Sequence, residues 1–337
     1  MSLSQTSRGR FTHESGDQRR FEVSTVGAVA VIAAVSIVFA AAAWLVADHG
    51  SHLDPHGPEG LLKRIGGAIV IAIRSPAPAL LLALILERRF PLTSNQRDLN
   101  RGFYQDIVWY VVDYLRELTW IPLLLVLMVT LKRYVMGDRE LLPYGAIPTP
   151  MLWVIGILAG DFLGYWSHRL RHRYHVLWSF HAIHHSQREL NFFTQNRFHD
   201  VDSAIELTIR MFPLLVLNAG LTITGIYTAI SLIHFRLQHS QIRANCGVLR
   251  YIMVTPQSHR VHHARDPRHR NYNFGAAFSI WDRAFGTQYQ NHDEYPELLG
   301  IRDENFPIEQ DAPLHHFPRI FAAQMVYPFL KMLRTRG

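Results

Sequence analysis

The apolar residues of this chain fall into long blocks separated by short polar and basic stretches. Val26–Ala47 is uncharged and long enough to cross a bilayer as one helix. Ile65–Leu86 is a second block with Arg74 inside it and Pro76 and Pro78 close behind. An arginine at the bilayer centre costs about 2.5–3.5 kcal/mol, so this block is expected to break near Arg74 or to turn that side chain inward. Ile107–Leu131 is interrupted by Asp113, Arg116 and Glu117, and Met151–Trp166 runs into Ser167-His168-Arg169. Residues 204–233 are apolar again and read as a hairpin dipping into the membrane. The last stretch, Phe317–Gly337, mixes Phe321, Val326, Phe329 and Leu330 with Lys331 and Arg334, the pattern of an interfacial amphipathic helix or of a helix packed on the catalytic part. The blocks predict an all-α, polytopic membrane domain of about four spans plus re-entrant or interfacial helices.

Charge assigns the sides. Residues 1–25 are expected to form a disordered basic tail, with Arg8, Arg10, Arg19 and Arg20 and no cleavable signal peptide. The 88–101 loop and the 169–173 segment are basic too, whereas 48–59 holds Asp48, Asp54 and Glu59 with no Lys or Arg. The positive-inside rule then puts the tail, the 88–101 loop and the segment after Trp166 in the cytoplasm. The basic loop after Leu131 (Lys132, Arg133, Arg139) is the one that fits this assignment least.

Composition agrees with a membrane anchor plus a polar part. Of 337 residues, 48% are hydrophobic and 18% charged, against about 25% charged in an average soluble protein. The net charge is +7, but Lys and Arg sit beside apolar blocks, where they report membrane orientation rather than nucleic-acid binding. The single cysteine, Cys246, excludes an intramolecular disulfide and any Cys-rich metal site.

Histidine is the outlier. There are twenty, and thirteen lie between His168 and His269. His168 and His172 are spaced i, i+4, which puts both imidazoles on one helix face, and His175 continues that stripe. His181, His184 and His185 form H-x-x-H-H, and His259, His262 and His263 repeat it; His234 and His239 make H-x4-H between them. One such pair is ordinary on a solvated basic helix. Four within about a hundred residues demand convergence. Neutral imidazole is a ligand for iron or zinc at neutral pH. One metal takes four to six ligands, so eight to ten histidines suggest two metals rather than one.

The segments D-F-L-G-Y-W-S-H-R-L-R-H (Asp161–His172), F-H-A-I-H-H (Phe180–His185), T-P-Q-S-H-R-V-H-H (Thr255–His263) and W-D-R-A-F-G-T (Trp281–Thr287) resemble the fatty acid hydroxylase/sterol desaturase superfamily. Phe274 stands where that family often has Tyr, Gln241 where it has Asn, and Asp200 where it has Pro. The resemblance covers about residues 155–290 and implies a di-metal centre on the cytosolic side of a small helical membrane domain. It implies as ligands His168, His172, His181, His184, His185, His239, His259, His262 and His263, with His234 completing a pair with His239. His199, Asp161 and His175 are further candidates. Asp161 is expected either to orient a ligand imidazole or to make a buried polar contact. Asn273, Gly275, Trp281, Asp282 and Gly286 are expected to be structural, an Asp282–Arg283 pair tying the C-terminal lobe to the histidine helices. The division that follows is a tail at 1–25, transmembrane helices at 26–150, a catalytic domain at 151–290 and an interfacial C-terminal part at 291–337.

The expected function is a multi-pass, membrane-bound non-haem di-iron oxygenase that hydroxylates or desaturates a lipid C–H bond. Two iron ions are the implied cofactor and O2 the co-substrate. No flavin, nicotinamide or haem-binding signature is present, so electrons are expected from a partner such as cytochrome b5 or a ferredoxin with its reductase. The alternatives are an acyl-lipid or sterol desaturase proper, or a non-catalytic lipid- or metal-binding membrane protein. A zinc hydrolase fits poorly, since no H-E-x-x-H occurs.

Overall fold

A computed structural model describes residues 76–93, 101–137, 148–217, 231–308 and 312–334. The expected tail, the Val26–Ala47 span and the break at Arg74 lie outside these residues. The described elements are helices: α1 (Pro76–Arg89), α2 (Arg101–Leu118), α3 (Trp120–Met136), α4 (Thr149–Arg173), α5 (His175–His185), α6 (Asp200–Val216), α7 (231–239), α8 (Pro256–His262), α9 (Ile280–Ala284) and α10 (Phe317–Arg334). No β-strand occurs among the described residues, only isolated bridges such as Met253 with Phe278.

Local sequence explains the boundaries that matter. The 25-residue α4 starts with a proline in its first turn, where the missing N–H costs nothing. It ends at Tyr174, whose extended backbone (φ −102°, ψ 123°) also starts α5. One residue therefore turns the chain, so His168 and His172 face His181 and His185. Asp200 and Asp202 lie in the first turn of α6, where negative charge suits the helix dipole. Thr255 and Ser258 form a capping box in front of α8 with Pro256 behind it, which fixes the phase of the second H-x-x-H-H.

α4 packs along α6, α5 against α4 and α10, and α3 against α6. Buried ions tie the first helices to this core. Asp106 of α2 accepts from Arg197 (2.6 Å), Thr194 (2.7 Å) and Asn191 (2.8 Å). Arg116 donates to Asp200 (2.5 Å) and to the Phe198 carbonyl (2.7 Å). The charges that interrupt the third apolar block thus include one, Arg116, turned fully inward.

The outer faces are apolar instead. Leu123, Val126 and Val135 of α3 are 70%, 64% and 76% exposed, as in a face that meets something other than water. No single described helix is both long and apolar enough to cross a membrane. Gly102–Leu118 and Trp120–Met136, bent by 43° between them, have the length and composition together. On α10, Phe317, Gln324 and Tyr327 are buried while Val326, Phe329, Leu330 and Leu333 are exposed.

Candidate metal centre

Nine imidazoles meet inside the molecule in two adjoining groups. His168, His172, His181, His185 and His262 form one; His184, His239, His259 and His263 form the other. Within each group the candidate ligand atoms lie within 4.8 Å of one another. The rings of His185 and His263 stack across the boundary at 4.3 Å. Two short helices feed both groups. α5 sends His181 and His185 to the first and His184 to the second; the second H-x-x-H-H sends His262 to the first and His259 and His263 to the second.

The Nε2 atoms converge. His262 and His168 approach to 3.0 Å, His259 and His239 to 2.9 Å, His263 and His259 to 3.1 Å, and His239 and His184 to 3.3 Å. Nitrogens sharing one metal at about 2.1 Å each lie about 3.0–3.4 Å apart, so these spacings fit common ligation. The Nε2 atoms of His172, His181 and His185 are buried with no hydrogen-bond partner, an arrangement that a cation would satisfy.

The other ring nitrogen is held in several cases. Nδ1 of His168 bonds the Phe274 carbonyl (3.0 Å), that of His262 the Tyr272 carbonyl (2.8 Å), that of His239 the Phe235 carbonyl (2.7 Å) and that of His181 the Asp202 carboxylate (2.8 Å). Donation from Nδ1 leaves the lone pair on Nε2, the atom that points into the group. Burial holds His239 and His262 down at about 4 and the other seven well below their ordinary value, so all nine are neutral at pH 7. The set fits a pair of imidazole-bound metal ions.

Behind these ligand candidates stands a rigid frame. Asp202 is 1% exposed and also accepts from Arg171 at 3.0 Å. Arg171 reaches Glu206 as well. Burial pushes Asp202 up to about 6 against the pull of Arg171. The loop that supplies the Phe274 and Tyr272 carbonyls is clamped from two sides. Asp282 accepts the backbone N–H of Phe274 (2.7 Å) and Gly275 (2.8 Å) and the Thr287 hydroxyl (2.7 Å). Asp161 accepts from the backbone of Ala277 (2.9 Å) and Phe278 (3.1 Å) and from the Trp281 indole (3.0 Å). Asn273 takes a left-handed backbone (φ 57°) and bonds the Ser258 carbonyl at 2.8 Å. Gly286 also needs a positive φ (69°).

Five of the sequence candidates lie outside both groups. His234 lies in neither group. His175 is exposed at the start of α5 and touches neither. Asp161 contacts the loop rather than an imidazole, which is the buried polar contact among its two expected roles. Asp282 spends both oxygens on the loop rather than on Arg283, which lies over the Tyr251 ring at 4.8 Å. His199 has both nitrogens engaged: Nδ1 accepts from Val201 N–H at 3.0 Å and Nε2 donates to the Met325 carbonyl at 3.1 Å. It caps α6 and tethers α10. Sequence reasoning missed Asp202 and Glu206, which belong to no histidine box, and the role of Arg171, which lies between His168 and His172.

A cavity of about 350 Å³ reaches the groups. His168, His181, His184, His239 and His259 form its floor, and Leu125, Leu207, Met211 and Phe235 are among its apolar walls. Leu125, at the far end, is also 39% exposed, beside Val126.

Known proteins share this region. The fatty acid hydroxylase family model matches residues 153–287. An ornithine lipid hydroxylase of Rhizobium tropici is 34% identical over 134 residues, covering 40% of this chain and 40% of that protein. The human alkylglycerol monooxygenase is 30% identical over 141 residues, 41% of this chain and 31% of that one. A delta(7)-sterol 5(6)-desaturase of Aspergillus fumigatus is 26% identical over 164 residues, 48% of this chain and 44% of its own. The chain thus spans less than half the length of these relatives. No solved structure matches it. The matched segment holds every histidine of both groups, and residues 153–287 are a fatty acid hydroxylase domain of the fatty acid hydroxylase and sterol desaturase superfamily.

Proposed function

We propose that this protein is a membrane-bound non-haem di-iron oxygenase that uses O2 and external electrons to hydroxylate a C–H bond of a lipid. The observation that carries the reading is two adjoining groups of neutral, inward-pointing imidazoles at the floor of a largely apolar cavity. In this reading His168, His172, His181, His185 and His262 hold one iron and His184, His239, His259 and His263 the other. Bound iron supplies O2 activation and oxidation of an otherwise inert C–H bond.

The chain's own residues do the rest. Backbone carbonyls and Asp202 hold the Nε2 lone pairs of His168, His181, His239 and His262 toward the site before metal arrives, which lowers the cost of binding. Buried rings and the apolar walls exclude water from the reacting carbon. Leu125, Leu207 and Met211 offer hydrocarbon a surface continuous with the exposed belt of α3, so a lipid reaches the floor without crossing water.

The chain itself bears no electron-carrying signature, so the reductant is an external partner of the cytochrome b5 or ferredoxin kind. The proposed topology is about four spans with the histidines at the cytoplasmic side. The proposed division is a tail at 1–25, membrane helices at 26–150, the catalytic domain at 151–290 and an interfacial part at 291–337. Removal of two hydrogens instead of oxygen insertion is the second reading, favoured by the sterol desaturase match.

The test is metal content and product together. Full-length protein from iron-supplemented cells should carry about two irons per chain, which a variant with His184, His185, His262 and His263 changed to alanine should lose. Lipid extracts of cells expressing the wild type should contain a product heavier by one oxygen. Equal metal in both proteins defeats the ligand assignment, and full metal without any oxidised lipid defeats the activity.

A further inference from the structure

The nine imidazoles are not equally enclosed. His168, His181, His184, His239 and His259 line the cavity that leads toward the α3 belt, and His172, His185, His262 and His263 do not. Of all nine, His172 alone is not buried. Its Nε2 is enclosed and without a hydrogen-bond partner, while the residue itself reaches the surface in the last turn of α4. Trp178 of α5 is part-exposed as well, and its ring packs on those of His172 (5.0 Å) and His185 (5.4 Å). One ligand candidate and one indole therefore join the first group to the surface without passing through the cavity.

That outlet is surrounded by positive charge. Arg173 follows His172 and is exposed. Arg270 is exposed too, and after burial its charge is among those that hold His172 well below its ordinary value, which places it near the ring. Arg265, two residues after His263, is part-exposed on the same loop. Within residues 162–188 and 264–273 the one carboxylate is Asp266, and Arg268 takes it at 2.8 Å. Beside Arg173, Tyr174 and Val176 are 57% and 53% exposed. An apolar and aromatic centre with a charged rim is the usual anatomy of a protein-binding face.

We propose that the face centred on His172 and Trp178 and rimmed by Arg173, Arg265 and Arg270 docks an acidic one-electron carrier protein, whose electrons enter here while the lipid occupies the cavity. This rests on the oxygenase reading and gives its reductant a place on the molecule. Each encounter oxidises one reduced carrier and passes one electron inward. Two electrons and two protons from solvent, with one O2, turn the lipid C–H into C–OH and release one water. Carrier and lipid approach by separate routes, so neither has to leave for the other to bind. Such encounters bury little surface and depend on charge, which steers the acidic partner to the arginines.

Docking is tested on metal-free, full-length protein in zwitterionic lipid nanodiscs, with the haem domain of cytochrome b5 and a [2Fe–2S] ferredoxin as acidic probes. His175→benzoylphenylalanine, on the exposed start of α5, should photo-crosslink at least one of them at low salt, and Val126→benzoylphenylalanine, on the α3 belt, neither. Arg173→Glu combined with Arg270→Glu should weaken carrier binding about tenfold at low ionic strength, and the difference should close near ~1 M salt. Arg270→Gln alone should weaken it about threefold. Iron loading of these variants should match the wild type, which a disrupted α4 terminus would not allow. No capture from position 175, capture from position 126, or undiminished binding by the charge-reversed protein overturns the proposal. So does undiminished carrier binding with less phosphatidylglycerol enriched around the variant, which assigns the arginines to lipid headgroups. Failure of the oxygenase reading looks different: no oxidised lipid from the iron-loaded wild type supplied with reduced carrier, whatever the arginines do.

Discussion

Asp202 and Asp282 serve the imidazoles at different removes, one by touching His181 and the other by fixing the loop whose carbonyl holds His168. Their substitutions should separate accordingly. Asp202→Ala leaves His181 free to rotate and removes one carboxylate from Arg171. Metal affinity should fall about 10–100-fold in a competition titration against a chelator; unchanged affinity would show that His181 is oriented without it. Asp282→Asn keeps the shape but turns an amide NH2 toward a backbone N–H at 2.7 or 2.8 Å. The cost should be about 1–3 kcal/mol, seen as a lower thermal midpoint even in metal-free protein. Neither role is visible in the sequence. Asp202 belongs to no repeating spacing, and the acceptors for His168 and His262 are backbone carbonyls, which any residue type supplies. At Asp161 the sequence leaves two roles open, an imidazole partner or a buried polar contact. Its helical phase with His168 and His172 is real, yet its oxygens go to Ala277, Phe278 and Trp281, because the loop passes closer than the rings do.

Helical spacing settles that the histidines of an H-x-x-H-H share a face, and the structure adds that the face straddles a boundary. His181 and His185 go one way and His184 the other. The i, i+3, i+4 pattern cannot reveal this, since the division depends on where α4 and α7 approach. His199 illustrates the converse. It sits in a motif that resembles the family's, but it packs on Phe180 and Phe329 and is a helix cap with both nitrogens in use. His199→Ala should cost about 1 kcal/mol through the lost cap, loosen α10 in hydrogen exchange, and leave metal content unchanged. Loss of metal would reassign it as a ligand. Gly275 constrains the loop sterically: an added Cβ would sit 2.6 Å from the Phe278 carbonyl oxygen and 2.8 Å from Asp282 Oδ2. Gly275→Ala should therefore displace Phe274 and weaken metal binding through His168 without removing any ligand atom.

For the whole molecule, nine neutral imidazoles in one core make acid the natural antagonist of the fold. Each has a folded-state pKa depressed below the unfolded value of about 6.5, so the unfolded chain takes up protons first. The stability they contribute is fully present above about pH 6.5 and is lost as pH falls through about 4, where His239 and His262 titrate. Metal-depleted protein should show this loss in thermal melts across that window, and metal should protect against it by mass action. A flat pH profile in the depleted protein would mean that the rings are not neutral and buried in solution.

The sharing of α5 and of the α8 box by both groups has a mechanical consequence. A roll of either helix displaces ligands of both metals at once, so neither half can be tuned, damaged or filled in isolation. The first ion to arrive spends its energy aligning both helices, and the second finds its nitrogens already in place. A chain holding one ion should be the scarce species, and a titration of depleted protein should run from empty to full without an intermediate plateau.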